Sequence, residues 1–439
     1  MKCIIDYPAD HPFSLANLPY GSFYTDDEPL TRRCGVAIGD FILDLQALSL
    51  TRYFPADVSR EVLSGSTLDA FMALDKHIWL LVRQHLQRLL SEGSPIDVHT
   101  TVTESNLADD VAKSGVGRRL FINRLAEDTV MCLPCTIGDY TDFYTSIEHA
   151  TNCGALIRGP TRALQPNWKH LPIAYHGRSS SIVVSGTPIR RPVGQILDKV
   201  GDVRPIVAPC RRLDFELEVG FFYGGRGTQL GERLSAGQAA DRVFGAVLLN
   251  DWSARDIQTW EYVPLGPFLS KNFATTISPW IIPVHALEPF TCPGYTHDPP
   301  LLPYLRDADN TNFDVPLTVA IRPESTSDFE IISRSSLRHT YYTIRQMIAH
   351  HSTTGCPLRA GDLLGTGTIS APGEEGYGSL LEKSWMGQRP FLLGGGEERT
   401  FLEDGDTVRM SGMVVVVGEG GYSVGFGECV GTVLPALPL

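Results

Sequence analysis

From Thr136 to the carboxy end, short β-branched or aromatic runs alternate with Gly and Pro turns, as in Ser181–Ser185, Leu213–Tyr223, Val243–Leu249 and Met413–Val417. Such spacing predicts a large, mostly antiparallel β domain. The first 130 residues or so read differently. Between Thr67 and Leu90 the apolar positions Leu68, Phe71, Leu74, Ile78, Leu81 and Leu89, with His85, recur at helical spacing, so one helix is expected there, bracketed by Ser66 and Gly93. Ahead of it, CGVAIGDFILDL (34–45) alternates as a hairpin does. The chain is therefore expected to be mainly β with α additions, divided into a small β-rich domain (1–133) and a larger one (134–439). A further helix is expected from near Thr343 to His350 and His351, before Gly355. The Gly425-Phe426-Gly427 stretch lies amid strands with no helix after it, so it is read as a turn rather than a dinucleotide loop.

Charge and composition narrow the function. Among 439 residues, 37 Lys and Arg stand against 50 Asp and Glu, a net charge of −13, and no basic run supplies a nucleic-acid surface. No apolar run approaches the roughly 20 residues of a membrane helix. The start of the chain lacks the apolar core of a secretion signal and no N-x-S/T acceptor occurs, so a cytoplasmic protein is expected. Nine cysteines, an odd number, read as reduced thiols, and Cys132 and Cys135 as structural rather than metal-binding.

Three polar constellations stand out. In Leu213–Val219 the residues alternate, which puts Asp214, Glu216 and Glu218 on one side of a strand and Leu213, Phe215, Leu217 and Val219 on the other. A solvated strand face would explain this; the following Gly220-Phe221-Phe222-Tyr223 argues instead for a buried strand, where like carboxylates need a cation. After Val243–Leu249 comes NDWSARDIQ; if helical, it places Asp251, Arg255, Gln258 and Tyr262 on one stripe, either an exposed ion-paired face or a site at a strand end. The third constellation is Asp142 and Tyr144, two apart, with His149 and Arg158 beyond. Asp142, Glu216, Glu218 and Asp251, all oxygen donors, would suit Ca²⁺ or Mg²⁺ rather than zinc, although spacing alone does not bring them together.

The motifs GDYTDFYTSIEHATNCG, LPIAYHGRSSSIVVSGTPIRRP, LDFELEVGFF, NDWSARDIQTWEYVPLGPF and GDLLGTGTIS together resemble the fumarylacetoacetate hydrolase family, and the likeness covers nearly the whole chain. It implies a small SH3-like barrel followed by a β-roll catalytic domain, assembled as a homodimer. By the same resemblance Ca²⁺ is held by Asp142, Glu216, Glu218 and Asp251, and a structural Mg²⁺ by Asp251, Lys271 (through its backbone) and Thr275. Substrate contacts fall on Tyr144, Arg158, Tyr175, Gln258, Tyr262 and Thr368. His149 becomes the general base, Glu382 the acid that orients it, and Arg255, Gln258 and Lys271 the groups that stabilise developing negative charge. The implied reaction is hydrolysis of the carbon–carbon bond of 4-fumarylacetoacetate, an anionic β-diketo acid, to fumarate and acetoacetate, the last step of tyrosine and phenylalanine breakdown. Ile147, Glu148 and Asn272 depart from the family pattern close to these residues. Two other readings stand beside it: a paralogue that hydrolyses or decarboxylates another acylpyruvate or β-dicarbonyl, and a non-catalytic metal-binding β-roll.

Overall fold

The computed structural model describes residues 2–111, 115–199, 201–418 and 420–438. The amino-terminal part is a curled, five-stranded antiparallel sheet in the order Phe121–Asn123, Phe41–Asp44, Arg33–Ile38, Tyr20–Thr25, Thr129–Cys132. Among the described residues its two outer strands pair with no further strand, so the expected small barrel takes the form of a curled half-barrel.

The helix expected over Thr67–Leu90 is two helices, Asp69–Met72 and Lys76–Leu89, because Asp75 is extended and restarts the turn. That restart shifts the helical phase. The second helix buries Trp79, Val82, Arg83, Leu86 and Leu89 instead of the stripe through Ile78, Leu81 and His85. The other expected helix spans Ile344–Ser352, with Thr343 as a capping-box residue and both histidines in its last turn. Where a turn was expected at Gly425–Gly427, one strand runs through, Tyr422–Leu434; a left-handed Gly427 (φ +74°) absorbs the irregularity as its partner shifts register between Ser411 and Met413. All nine cysteines are free thiols, and among the described residues no helix is long and apolar enough to cross a membrane.

The carboxy-terminal part holds two large sheets. One runs Ala174–His176, Tyr140–Phe143, Leu363–Gly365, Leu217–Tyr223, Val243–Asp251, Thr275–Ile277, Ile182–Val184. The other runs Glu330–Ser336, Pro316–Arg322, Thr407–Val416, Tyr422–Leu434, Ile189–Arg190. Most pairings are antiparallel, but three are parallel: Tyr140–Phe143 with Leu363–Gly365, Thr275–Ile277 with Ile182–Val184, and Tyr422–Leu434 with Ile189–Arg190. The alternating segment after Arg212 is no solvated face. Every residue from Leu213 to Tyr223 is buried; Leu213, Phe215, Leu217 and Val219 join the core, and the acids turn inward.

A single apolar core binds the half-barrel to the first sheet. Phe244, 1% exposed, packs against Tyr20, Phe71 and Trp79 with ring centroids 6.1, 5.7 and 5.1 Å away, the last two edge-on. Truncation there would leave a cavity ringed by three aromatic side chains that cannot readily collapse into it. Phe244→Ala is expected to destabilise the protein by about 3–5 kcal/mol, and Phe244→Leu by less, as read from denaturant unfolding monitored by tryptophan fluorescence.

Candidate active site

The first sheet brings the distant acids together. Asp142 lies on Tyr140–Phe143, Glu218 on Leu217–Tyr223, and Asp251 at the end of Val243–Asp251, where it pairs with Thr275. One oxygen from each of Asp142, Glu218 and Asp251 lies within 4.8 Å of the other two, and all three residues are buried. Between Asp142 and Glu218 runs Leu363–Gly365, and it is Gly365 that sits beside them. A methyl group there would come within 2.9 Å of Asp142 Oδ1 and 3.0 Å of Glu218 Oε2.

Two of these carboxylates, Asp142 and Glu218, are poorly compensated. Among the described residues Asp142 Oδ1 and Glu218 Oε1 are buried without a hydrogen-bond partner, while Glu218 Oε2 accepts from the Gly367 amide at 3.1 Å. Burial, then the neighbouring carboxylates, push Asp142 and Glu218 well above the ordinary carboxylate range. Both facts suit a hard divalent cation, and the all-oxygen donor set agrees with one. The site therefore fits such an ion.

Glu216 behaves differently from Asp142 and Glu218, two of its three expected co-ligands. Arg255 donates to its Oε1 at 2.8 Å and the Lys271 ammonium to its Oε2. Burial would raise this carboxyl, but Arg255 and Lys271 outweigh burial and hold it well below the usual range. Lys271 also donates to Asp251 Oδ2 at 2.5 Å and Ser253 Oγ at 2.7 Å. Its side chain, rather than only its backbone, thus enters the acidic cluster. Tyr175, across from Asp142 in the ladder, donates to Asp251 Oδ2 at 3.0 Å, and Thr275 Oγ1 to Asp251 Oδ1 at 3.3 Å.

Beside this cluster stands an imidazole. His149 is on helix Ile147–Arg158 and 3% exposed; its Nδ1 is 2.7 Å from Glu382 Oε2, and its Nε2 is 3.9 Å from Glu216 Oε1. Glu382 is fixed by hydrogen bonds from Asn152, Ser370 and Ser379. Burial opposes charge on His149, yet the Cys153 sulfur and the Glu382 carboxylate beside it raise its pKa above the ordinary value. With Glu382 holding Nδ1, Nε2 is the ring atom directed toward the acids. Tyr144 packs edge-on to the imidazole at 5.5 Å.

The remaining expected residues fall at varied places. Asp251 ends a strand, so the helical stripe imagined for it begins only at Arg255, on helix Arg255–Glu261. Arg255 Nη1 donates to Gln258 Oε1 at 3.2 Å, while Tyr262, just past the helix, is 41% exposed. Thr368 is buried in the loop after Leu363–Gly365. Arg158 is turned to its own chain, donating to the carbonyls of Arg162 and Ala163 at 3.2 and 2.6 Å. Glu148 is held by Tyr295, whose hydroxyl donates to Oε1 at 2.8 Å, and so neither lies free in solvent nor pairs with His149. Asn272 joins Tyr140, Tyr175, Asp251, Phe268 and Lys271 around a cleft of about 160 Å³. Larger clefts of about 340 and 470 Å³ lie elsewhere, but neither borders the buried acids. Sequence reasoning noted Asp214 without giving it a role and missed Asn152, Ser370 and Ser379. Only the strand alternation hinted at the first, and nothing local marked the others.

Known proteins share both parts. Residues 16–113 match the family description Fumarylacetoacetase N-terminal, and residues 140–434 match Fumarylacetoacetate (FAA) hydrolase C-terminal. The fumarylacetoacetase of Dictyostelium discoideum is 48% identical over 441 residues, covering 99% of this chain and 98% of its own. That of Homo sapiens is 48% identical over 430 residues, covering 98% and 97%. An HpcE-type structure from Mycobacterium smegmatis, 18% identical, shares the fold with a TM-score of 0.51 over 95% of this chain and 99% of that one. Likeness of this extent, through the half-barrel and both large sheets, makes the chain a member of the fumarylacetoacetate hydrolase family.

Proposed function

We propose that this chain hydrolyses the carbon–carbon bond of 4-fumarylacetoacetate, giving fumarate and acetoacetate, as the final step of tyrosine and phenylalanine breakdown. The observation that carries the reading is the His149–Glu382 pair beside a buried acidic cluster, in a chain 48% identical along its length to fumarylacetoacetases.

Each role follows from chemistry. Splitting a bond between two carbonyls with water needs a base, a place for the developing oxyanion, and relief for the departing carbanion. His149, oriented by Glu382 through Nδ1, takes a proton from water at Nε2, a contribution of roughly 10²–10⁴ in rate. Arg255, Lys271 and Gln258 present cationic and amide donors to the anion, Arg255 and Lys271 already held by buried acids and Gln258 by Arg255. Tyr144, Tyr175, Tyr262, Thr368 and Arg158 are assigned to substrate contact, Arg158 after releasing its two carbonyl partners. Asp142, Glu218 and Asp251, with Glu216, would hold Ca²⁺, and Asp251, Lys271 and Thr275 the neighbourhood of a Mg²⁺. A bound ion supplies Lewis acidity and a template for the two carbonyl oxygens. The net charge of −13 is no obstacle to an anionic substrate, because Arg255 and Lys271 focus positive charge locally. We further assign a homodimer and a cytoplasmic location.

His149→Ala is expected to lower turnover at least 10²-fold while the protein stays folded and keeps its metal content, followed by loss of the substrate's ultraviolet absorbance. Near-normal turnover would remove His149 from the mechanism. Chelation should abolish activity, and Ca²⁺ or Mg²⁺ should restore it; a fall in melting temperature with no turnover under any condition would instead mark a non-catalytic module. Assaying other acylpyruvates in parallel distinguishes a paralogous specificity. Gly365→Ala should weaken Ca²⁺ binding by about tenfold or more in calorimetry, since its methyl group crowds two of the three carboxylates.

A further inference from the structure

Asp214 is completely buried and takes no part in the chemistry assigned above, yet it touches both halves of it. Its Oδ2 accepts from Arg255 Nε at 2.9 Å and lies 2.8 Å from Arg255 Nη2. The same carboxylate receives the backbone amides of Leu380 (to Oδ1, 2.7 Å) and Leu381 (to Oδ2, 2.9 Å). Those amides open the one-turn helix Leu380–Lys383, which carries Glu382. Four donors thus converge on two oxygens, and each donor belongs to a segment bearing a proposed functional group.

We propose that Asp214 is a positioning residue that locks Arg255 and the Glu382-bearing turn to one another, so that the anion-stabilising guanidinium and the oriented imidazole keep a fixed separation. Other links to the turn exist: the Leu217 amide donates to Gly378 O at 2.9 Å, and Glu216 bridges to Ser379. Glu216, which also accepts from Arg255, meets the turn only through its backbone beside Ser379, whereas the Asp214 side chain accepts both from Arg255 and from the amides that open the helix carrying Glu382. The backbone at Asp214 is itself held, paired with Ser253 two residues before Arg255. Oδ2 accepts from Arg255 and from Leu381, and Oδ1 from Leu380, so the carboxylate satisfies all of these donors at once. An asparagine has one acceptor oxygen; with it at Oδ2 an N–H group opposes the Leu380 amide, and with it at Oδ1 an N–H group opposes both Arg255 and the Leu381 amide, so the turn's hold is weakened either way.

This inference rests on the hydrolase reading for its kinetic part and not for its structural part, and the test separates them. In Asp214→Asn, kcat for 4-fumarylacetoacetate should fall about 10- to 100-fold with KM changed less than about threefold. Its loss should combine with that of Glu382→Gln less than multiplicatively, since both disturb one unit. Amide hydrogen exchange across 378–385 should accelerate in the same variant, with exchange in the half-barrel unchanged. If Asp214→Asn does not fold, Asp214→Glu, which keeps the charge one methylene out of place, should show the same pattern. Wild-type kcat in either folded variant, a loss carried wholly by KM, multiplicative combination with Glu382→Gln, or unchanged exchange over 378–385 would overturn the proposal. Should the wild-type protein fail to hydrolyse the substrate, the hydrolase reading falls, and the exchange measurement alone decides whether Asp214 holds the turn.

Discussion

Burying carboxylates away from water is the constraint around which this molecule is built. An ionised acid in a low-dielectric interior is tolerated only with opposite charge or donors close by. Asp214 and Glu216 meet that condition within the chain, through Arg255, Lys271 and backbone amides. Asp142 and Glu218 do not, each keeping a bare oxygen against the other. The contrast divides one acidic neighbourhood into a part that is electrostatically finished and a part that demands something from outside. Lys271 stands at the border, shared between Glu216 and Asp251.

Much of this was legible from residue patterns, and the failures have physical causes. Alternation through Leu213–Val219 correctly separated the core side chains from the acids, because side-chain period in an extended chain does not depend on partners. It could not tell that Asp214 and Glu216 face cations while Glu218 faces Asp142, since that is decided by which strands lie alongside. For Asp251 the local pattern misled: a helical stripe from 251 to 262 is compatible with the sequence, but ladder pairing with Thr275 keeps Asp251 in the strand. In the amino-terminal part a single extended residue, Asp75, reset the phase of a helix whose existence was plain. The partners of Glu382 were invisible for another reason. Ser370, Ser379 and Asn152 carry no periodic signal, and hydroxyls and amides of this kind occur at every turn.

The environments of Glu148 and Asn272 are also decided by neighbours. Glu148 is held by the Tyr295 hydroxyl, while His149 is held by Glu382, so neighbours in sequence take different partners in space. Asn272 borders the small cleft with Lys271, where an added amide changes the polar surface offered to whatever enters.

The order in which the strands occur along the chain has a bearing on biosynthesis. Leu363–Gly365 lies between Tyr140–Phe143 and Leu217–Tyr223 although it is made after both. A nascent polypeptide therefore exposes Asp142, Glu218 and Asp251 well before the ribosome has produced the segment that spaces them, and Glu382 emerges later still. The pocket cannot be completed from the amino end alone; it waits for a central strand that is made late. Polypeptides that terminate prematurely, even after most of the acids have been translated, would lack the piece around which those acids gather.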